Sequence, residues 1–381
     1  MPPESSNAAQ VPGLHAIRSF GDTMDPVFLE EIRTAGQREI DALRAAGKEI
    51  GIAEYLAISG GGANGAYGAG LLCGWTASGT WPKFKIVTGV STGALTAPFA
   101  FLGPAYDDTL REVYTTIRTK DILKERNLIS GFFGDAFADS CPLQRLLRRK
   151  VDASVMNAIA AEYAEGRILL VGTTNLDAER PVVWNVTAIA ASGHPRALEL
   201  IHAVLLASAS IPVGFPPVMI DVEVDGRRYQ EMHVDGGTSN QVFFYPPAVK
   251  ISEAAGIDRE RRLYLIRNSR VDAEWANVKR DVPSIASRSI DSLIHTQALG
   301  DLYRIYATSV RDHVDYNLAF IPPTFEDKPR ELFDPPYMQK LFDIGYADGT
   351  GGAAWHKKPP GTTPESQPGP LGLRADSRPG E

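Results

Sequence analysis

The sequence lacks several features that define large classes of proteins. Only two cysteines, Cys73 and Cys141, occur in 381 residues, so it has neither a disulfide framework nor the spacing of a zinc site. A net charge of -7 and a pI near 5.6 provide no strongly basic surface, which argues against nucleic acid as a partner. No run of about 18 apolar residues exists, so we expect no membrane-spanning helix.

Two further absences concern targeting and cofactors. The first residues, MPPESSNAAQVPG, have neither the charged nor the apolar region of a signal peptide. We therefore expect a cytoplasmic or membrane-peripheral protein, or an exported one if a leader has been removed. No His, Cys or carboxylate cluster has metal-ligand spacing, and we expect neither a metal nor a cofactor. The sequence leaves the oligomeric state open.

The chain divides into three parts by composition. A hydrophobic content of 44% is that of a globular protein. Residues 1–25 look irregular, residues 26–354 alternate between strand and helix patterns, and residues 355–381 are rich in Pro, Gly and Ser and are expected to be disordered. Alternating strands and helices indicate an α/β sheet. The main predicted elements are a helix over 27–48, strands over 84–88, 168–173, 182–186 and 263–267, a hairpin turning at Asp225–Gly226, and a helix over 283–311.

The most unusual stretch is LAISGGGANGAYGAGLL, at positions 56–72, with six glycines in eleven positions. Gly60, Gly62 and Gly65 fit the G-x-G-x-x-G of a dinucleotide fold, but the acidic residue that should follow about 20 positions later is missing. A P-loop would need a lysine, and none follows before Lys83. The third interpretation is an oxyanion hole made of backbone N–H groups at a helix N-terminus. It requires a nucleophile nearby.

A nucleophile candidate follows one helix later. Gly89-Val90-Ser91-Thr92-Gly93 is a G-x-S-x-G sequence between a predicted strand and a predicted helix, where a tight turn exposes the serine hydroxyl. The simpler interpretation is a glycine turn whose serine caps the helix. Because two parallel strands of a βαβ unit end at the same sheet edge, Ser91 and the glycine loop are expected to face one site.

A nucleophilic serine needs a base, and the candidates are few. His295 and His313 come late enough for a hydrolase triad, but both lie in or beside the predicted long helix. His233 lies two residues before Asp235, on the same strand face, and is interpreted as a packed residue. Asp235 ends a strand and is followed by two glycines, which permit a sharp turn and leave its carboxylate uncrowded.

Four segments together resemble the patatin-like phospholipases. They are SGGGANG at 59–65, GVSTG at 89–93, ASASIPVGFPPV at 207–218 and VDGG at 234–237. The resemblance implies a three-layer α/β/α fold with a central, mostly parallel sheet. It also implies that Ser91 and Asp235 form a catalytic dyad. The implied oxyanion hole consists of the backbone amides of Gly60, Gly61, Gly62 and Ala63.

The implied function is that of a lipid acyl hydrolase of the phospholipase A, lysophospholipase or esterase type, working through an acyl-enzyme without a cofactor. Its partners would be phospholipids or other acyl-ester lipids, with peripheral membrane contact. The family often has a basic residue where this chain has Asn64, so no charge comes from that position. Two alternatives stay open: an inactive lipid-binding protein of the same fold, and a dinucleotide-binding oxidoreductase.

The residues that select the substrate are not identified by sequence. Gly131-Phe132-Phe133-Gly134 with Phe137 is either a lid that contacts an acyl chain or ordinary packing. The segment LQRLLRRK, at positions 143–150, fits an interfacial helix or, more simply, a helix with one solvated face.

Overall fold

Nine strands form one sheet in the structure, a computed structural model that describes residues 1–23, 25–125, 136, 138–251, 253, 256–352 and 355–362. A separate pair of two-residue strands lies outside this sheet. The strands are β1 (Arg18–Phe20), β2 (Ala53–Ile58), β3 (Ile86–Val90), β4 (Lys124–Glu125), β5 (Ala138–Asp139), β6 (Ile168–Asn175), β7 (Arg180–Asn185), β8 (Val218–Val224), β9 (Arg227–Asp235), β10 (Arg261–Arg267) and β11 (Val314–Phe320).

Helices cover the sheet on both faces. Those that the structure describes are α1 (Pro26–Ala45), α2 (Gly65–Ala77), α3 (Thr92–Leu102), α4 (Asp107–Thr116), α5 (Thr119–Ile122), α6 (Cys141–Lys150), α7 (Ala153–Ala164), α8 (Val186–Ala191), α9 (Ala197–Ser208), α10 (Val282–Arg311) and α11 (Pro335–Gly351).

The sheet is parallel in its centre and antiparallel on one side. Its order is β1-β7-β6-β3-β2-β10-β11, and the five strands from β6 to β11 in that order run parallel. β7 and β1 extend it antiparallel, and the β8–β9 hairpin joins through β9, which pairs antiparallel with β6. The predicted hairpin is confirmed, with Asp225 and Gly226 between its strands. The parallel centre places the ends of β2, β3 and β10 at one carboxyl edge.

Alternating side chains along the central strands separate two cores. On β2, Leu56 and Ile58 belong to the larger core, which packs against helices including α2, α3, α9 and α11. Tyr55 and Ala57 point the opposite way, into a core shared with α1 and α10. Successive residues of a strand face opposite sides, so a continuous apolar run is what a sheet buried on both faces requires. The fold is therefore the expected three-layer α/β/α arrangement.

Two glycine-containing helices pack backbone to backbone. A Cβ added to Gly70 of α2 would lie 2.0 Å from the carbonyl oxygen of Phe342, and one added to Gly345 of α11 would lie 2.0 Å from that of Tyr67. No larger residue fits at either contact. Some glycines of the 56–72 stretch thus serve helix packing. Helix α11 is not among the elements predicted from sequence, because its glycines lower helix propensity and hide the pattern.

The chain ends differ from the sequence expectation. The segment 1–25 is not irregular throughout, since β1 pairs with β7 and buries Arg18 at the sheet edge. The predicted disorder is wrong for residues 355–362. Trp355 packs against Trp75 with ring centroids 4.9 Å apart, and His356 exchanges backbone hydrogen bonds with Leu318. A single tryptophan can anchor a Pro-rich segment because it buries a large apolar area.

Candidate active site

Ser91 lies at a strained turn between β3 and α3. Its φ of 55° and ψ of -125° lie outside the regions that non-glycine residues favour. Such a conformation costs about 1–3 kcal/mol and persists only where the surroundings impose it. Two residues later, a Cβ added to Gly93 would lie 2.3 Å from the carbonyl oxygen of Ile58, so α3 begins directly against β2. The predicted strand-turn-helix setting of Ser91 is confirmed.

A buried serine on α9 holds the backbone of this turn. Ser208 Oγ accepts a hydrogen bond from the N–H of Ser91 at 3.0 Å and donates one to the carbonyl oxygen of Gly172 at 2.6 Å. The amide of Ser91 is therefore occupied. Sequence reasoning missed Ser208, although it lies in the ASASIPVGFPPV segment.

The strand register explains how Asp235 reaches Ser91. β3 ends at Val90, which is opposite Gly172 of β6. The next residue of β6, Thr173, pairs with Asp235 at the end of β9. β9 therefore pairs with β6 directly beyond the point where β3 ends. Asp235 consequently lies just past the end of β3, where Ser91 follows in the chain. The structure brings together the two residues that the sequence predicts as a pair.

The Asp235 carboxylate is buried and only partly satisfied. Oδ1 accepts a hydrogen bond from the N–H of Gly237 at 2.7 Å, whereas Oδ2 makes no hydrogen bond of normal geometry within the described residues. Burial raises the pKa of Asp235 to about 7, although the Ser91 hydroxyl and the Gly237 amide oppose this rise. An acid with this pKa accepts and releases a proton near neutral pH.

The glycine loop presents free backbone donors beside these groups. Gly61 has a φ of 155°, and a Cβ there would lie 2.2 Å from the carbonyl oxygen of Asn268. Only glycine fits, because the position combines an unfavourable backbone with a close contact. The N–H groups of Gly61, Gly62 and Ala63 lead into α2 and donate to no group of the described residues. They are suited to hold an anion.

The structure contradicts the expectation that Gly60 contributes its N–H group to the oxyanion hole. Its N–H donates to the carbonyl oxygen of Gln241 at 3.0 Å, so it is not available to an oxyanion. Gly60 instead packs against Ser91, where an added Cβ would lie 3.3 Å from the serine Cβ. The glycine is needed for this close approach rather than as a donor.

Two further side chains, Asn268 and Gln241, position the site and were missed by sequence reasoning. Asn268 follows β10 and joins the loop to α2, because its Nδ2 donates to the Ser59 carbonyl oxygen and its Oδ1 accepts from the Gly68 N–H. Gln241 donates through Nε2 to the carbonyl oxygen of Gly237 at 2.7 Å, while its backbone carbonyl oxygen accepts a hydrogen bond from the N–H of Gly60. No local motif marks either residue, since their partners are distant in sequence.

The histidines form no part of this site. His233 is fully buried, with Nδ1 3.0 Å from Thr173 Oγ1 and Nε2 3.1 Å from Glu231 Oε2. Neither ring nitrogen contacts Ser91 or Asp235, which agrees with the interpretation of His233 as a packed residue. His295 and His313 do not line the cavity described below. The structure therefore presents Asp235 as the base candidate beside Ser91.

An apolar cavity of about 590 Å³ opens at Ser91. Its described lining begins with Gly61, Gly62 and Ala63, and continues with leucines of α6 and aromatic residues such as Phe215 and Phe333. Asn64 also lines it and accepts a hydrogen bond from the Tyr337 hydroxyl at 2.7 Å, so a neutral pair occupies the position where the family often has a charge. The volume lies in the range of roughly 300–1,000 Å³ that is usual for ligand sites.

The two candidate substrate elements have different outcomes. Helix α6 confirms the prediction of one solvated face, since Leu143, Leu146 and Leu147 are buried in the cavity wall while Arg148 and Arg149 are exposed. The possible lid at 131–134 and 137 lies outside the described residues.

In the part of the chain that is described, every helix is too short or too polar to span a bilayer. Those residues also include no group of three or more metal-binding side chains.

The chain resembles known proteins in part of its sequence and of its structure. No curated protein sequence matches the chain. Among solved structures, VipD from Legionella pneumophila is similar over 80% of this chain and 67% of its own, with 12% identity and a TM-score of 0.39. The type III effector protein ExoU is similar over 79% of this chain and 52% of its own, with 14% identity and a TM-score of 0.26. The sequence profile of the Patatin-like phospholipase family matches residues 56–247, about half of the chain, and the chain therefore belongs to the patatin-like phospholipase family.

Proposed function

We propose that this chain hydrolyses fatty-acyl esters of lipids through a dyad of Ser91 and Asp235. The observation that carries the proposal is the buried, half-satisfied carboxylate of Asp235 beside a strained serine. A buried carboxylate whose Oδ2 has no hydrogen bond of normal geometry among the described residues, and whose pKa is raised to about 7, is suited to take the serine proton. Membership in a lipid hydrolase family supports the substrate class.

Acylation begins when Asp235 takes the hydroxyl proton of Ser91. The serine oxygen bonds to the ester carbonyl carbon, and the carbonyl oxygen becomes an oxyanion that the N–H groups of Gly61, Gly62 and Ala63 hold. The ester C–O bond then breaks, and Asp235 returns its proton to the departing alcohol or lysolipid. The acyl group remains bound to Ser91.

Deacylation repeats these steps with water. Asp235 takes a proton from a water molecule as the water oxygen attacks the acyl carbonyl carbon. The bond to the serine oxygen breaks, Asp235 protonates that oxygen, and the fatty acid is released. The same N–H groups hold the second oxyanion. This scheme needs no charge from Asn64, because the three amides supply the hydrogen-bond donors for the oxyanion.

The cavity favours a single long acyl chain in the site. Its described wall is mostly apolar, and leucines of α6 line it together with the glycine loop. Apolar burial contributes about 0.8 kcal/mol for each methylene group removed from water. We therefore expect kcat/KM to rise with acyl length among soluble p-nitrophenyl esters, before any surface effect of aggregated lipid enters.

An active-site-directed fluorophosphonate tests the nucleophile. We expect it to label Ser91 alone, as located by mass spectrometry, and Ser91→Ala to abolish both labelling and ester hydrolysis. Ser192→Ala is a matched control, because Ser192 is exposed at the end of α8 and touches no part of the site. Labelling of a different serine, with Ser91→Ala still active, would show that the nucleophile is misassigned.

The fluorophosphonate experiment, together with an NADH titration, separates the proposal from the two alternatives. An inactive lipid-binding protein would bind acyl chains but would neither take up the fluorophosphonate nor hydrolyse any ester. A dinucleotide-binding oxidoreductase would change the fluorescence of added NADH, which we do not expect.

A further inference from the structure

Helix α10 is much longer than the sheet that it crosses. Thirty residues at 1.5 Å each span about 45 Å, whereas the seven-residue strands β10 and β11 that it connects span only about 23 Å. Every buried residue of α10 lies at or after position 298. β10 ends at the carboxyl edge of the sheet, which is also the edge where Ser91 follows β3. The first half of the helix, residues 282–297, therefore projects beyond that edge.

Contacts connect this projecting half to the candidate site. Gln297 donates through Nε2 to the carbonyl oxygens of Thr238 and Ser239, in the turn that follows Asp235. Arg288 donates to the carbonyl oxygen of Glu274. Glu274 and its neighbour Trp275 line a groove together with Asn64 and Tyr337, and these last two residues also line the cavity at Ser91.

Large apolar side chains on this side of the molecule are exposed to solvent. Trp275 is 88% exposed and Leu293 is 70% exposed. We call this set the apolar face, and it consists of Ile211, Val213, Trp275, Val282, Ile285, Ile290, Leu293, Ile294 and Leu332. Ile211 and Leu332 also line the cavity at Ser91, and Trp275 lines the adjoining groove, so three separate segments of the chain place exposed apolar groups at the cavity or at that groove.

The helical part of this face is amphipathic. At 100° per residue, Val282, Ile290 and Leu293 fall within one quarter of the helix circumference. Arg288, Asp291 and His295 fall on the opposite half. A helix with one apolar half that no described part of the chain covers is typical of segments that lie in a membrane interface, where an exposed tryptophan also fits.

Charge in this region is balanced. Residues 269–297 contain four basic side chains, Arg270, Lys279, Arg280 and Arg288, and four acidic ones, Asp272, Glu274, Asp281 and Asp291. The segment therefore has no net attraction to an anionic surface, and the whole chain has a net charge of -7. Apolar contact with a zwitterionic lipid surface is what this composition favours.

We propose that the apolar face docks the chain on a zwitterionic membrane, with the projecting half of α10 lying in the interface and the cavity opening toward the lipid. This inference rests on the proposed function, since a lipid substrate must enter where Ile211 and Leu332 line the cavity. A protein partner seated on the same face would close that entrance. A membrane covers the apolar groups and supplies the substrate together.

Co-flotation with phosphatidylcholine vesicles tests the docking. We expect the unmodified chain to float with the vesicles, with little change when salt is raised, and Leu293→Glu to lower the partition coefficient at least tenfold. Val310→Glu is the matched control, because Val310 is 57% exposed on the same helix but lies in the half that packs on the sheet. It should bind like the unmodified chain.

Two further measurements identify the reason for any failure. Hydrolysis of a soluble short-chain ester should be equal in the unmodified chain, Leu293→Glu and Val310→Glu, while hydrolysis of vesicle phospholipid should fall in Leu293→Glu alone. Absence of soluble-ester hydrolysis in all three would count against the proposed function and leave the flotation result to decide the docking. A blue shift of tryptophan fluorescence on vesicle addition should be lost in Trp275→Phe.

Three results would overturn the docking proposal. The first is no flotation of the unmodified chain, and the second is equal flotation of the unmodified chain and Leu293→Glu. The third is a dimer, seen by light scattering, that Leu293→Glu dissociates, since the face would then be an interface between two copies of this chain.

Discussion

Two buried carboxylates on β9, Glu231 and Asp235, lie four residues apart and face the same side of the strand. Glu231 is 1% exposed and accepts hydrogen bonds from Arg18 and from His233. Asp235 is 5% exposed and accepts one from Gly237. Burial raises the pKa of Glu231, but its two partners outweigh this effect and lower the pKa to about 2. Burial raises the pKa of Asp235 to about 7 because its partners are too weak to compensate.

The comparison shows that burial alone does not decide the character of an acid. Both groups lose water, and what differs is the supply of donors and of opposite charge. A fully paired carboxylate such as Glu231 is fixed and cannot take a proton at neutral pH. Asp235 keeps one oxygen, Oδ2, without a hydrogen bond of normal geometry to any described residue. The same strand thus provides a structural acid and, two positions beyond His233, a group that is able to act as a base.

The largest expected effect is on turnover by Asp235→Asn. The amide keeps the shape of the carboxylate but does not accept the Ser91 proton, so kcat should fall by about 10² to 10⁴. The loss should approach that of Ser91→Ala, since nucleophile and base act as a unit. Steady-state rates on a short-chain p-nitrophenyl ester measure it. Glu231→Gln is the matched control, and the folded fraction of that variant should keep its activity.

Glu231→Gln should instead lower stability. It leaves the Arg18 guanidinium buried without its carboxylate, which costs about 3–5 kcal/mol of the free energy of unfolding. Urea denaturation followed by circular dichroism measures this loss. Adding Arg18→Met to Glu231→Gln should recover a large part of it, because the buried charge is then gone. An unchanged unfolding midpoint in the single variant would contradict the role of Glu231 as a structural acid.

Asp235→Asn should raise stability, and more so at higher pH. The folded-state pKa of Asp235, about 7, exceeds its usual value of 3.8, so the folded chain binds this proton more tightly than the unfolded chain. The wild type therefore loses stability as pH rises from about 4 to 7, up to about 4 kcal/mol, and the Asn variant does not. The stability difference between the two proteins should be about 2–3 kcal/mol larger at pH 8 than at pH 5. A difference that does not depend on pH would show that the carboxylate is not perturbed.

The pH dependence of kcat/KM should follow the protonation of the Asp235 carboxyl group. Because only the deprotonated carboxylate accepts the Ser91 proton, activity should reach a plateau above pH 7 and fall about tenfold per pH unit below it. A profile on a substrate without ionisable groups gives the midpoint directly. A midpoint near the ordinary aspartate pKa would point to a base that is fully solvated or fully paired.

The smallest expected effect is that of His233→Asn. His233 contacts Thr173 and Glu231 but not the dyad, so kcat should stay within about tenfold of the wild-type value. The folded variant, checked by circular dichroism, is compared with Ser91→Ala on the same ester. A folded His233→Asn protein as inactive as Ser91→Ala would favour a triad over the dyad.

Local patterns predicted the central elements well and the chain ends poorly. The strand-turn-helix around Ser91 and the hairpin before Asp235 are set by short-range features, namely glycine turns and alternating apolar residues. Strand β1 has only three residues, too few for a periodic pattern, and it is held by pairing with β7. Residues 355–362, the described part of the Pro-rich segment, are anchored by Trp355, whose partners lie far away in sequence.

The sequence by itself determined the fold class, the identity of Ser91 and Asp235 as candidates, and the need for small residues in the glycine loop, because each depends on neighbours within a few positions. Only the tertiary structure decided which glycine amides are free. The N–H of Gly60 donates to the backbone carbonyl oxygen of Gln241. The backbone of Gly61 lies against Asn268, which is more than 200 positions away, so that no side chain fits there. The opposite protonation behaviour of Glu231 and Asp235 was likewise decided by the tertiary structure, because a pKa depends on the charges and donors that folding brings near, and Arg18 comes from the other end of the chain.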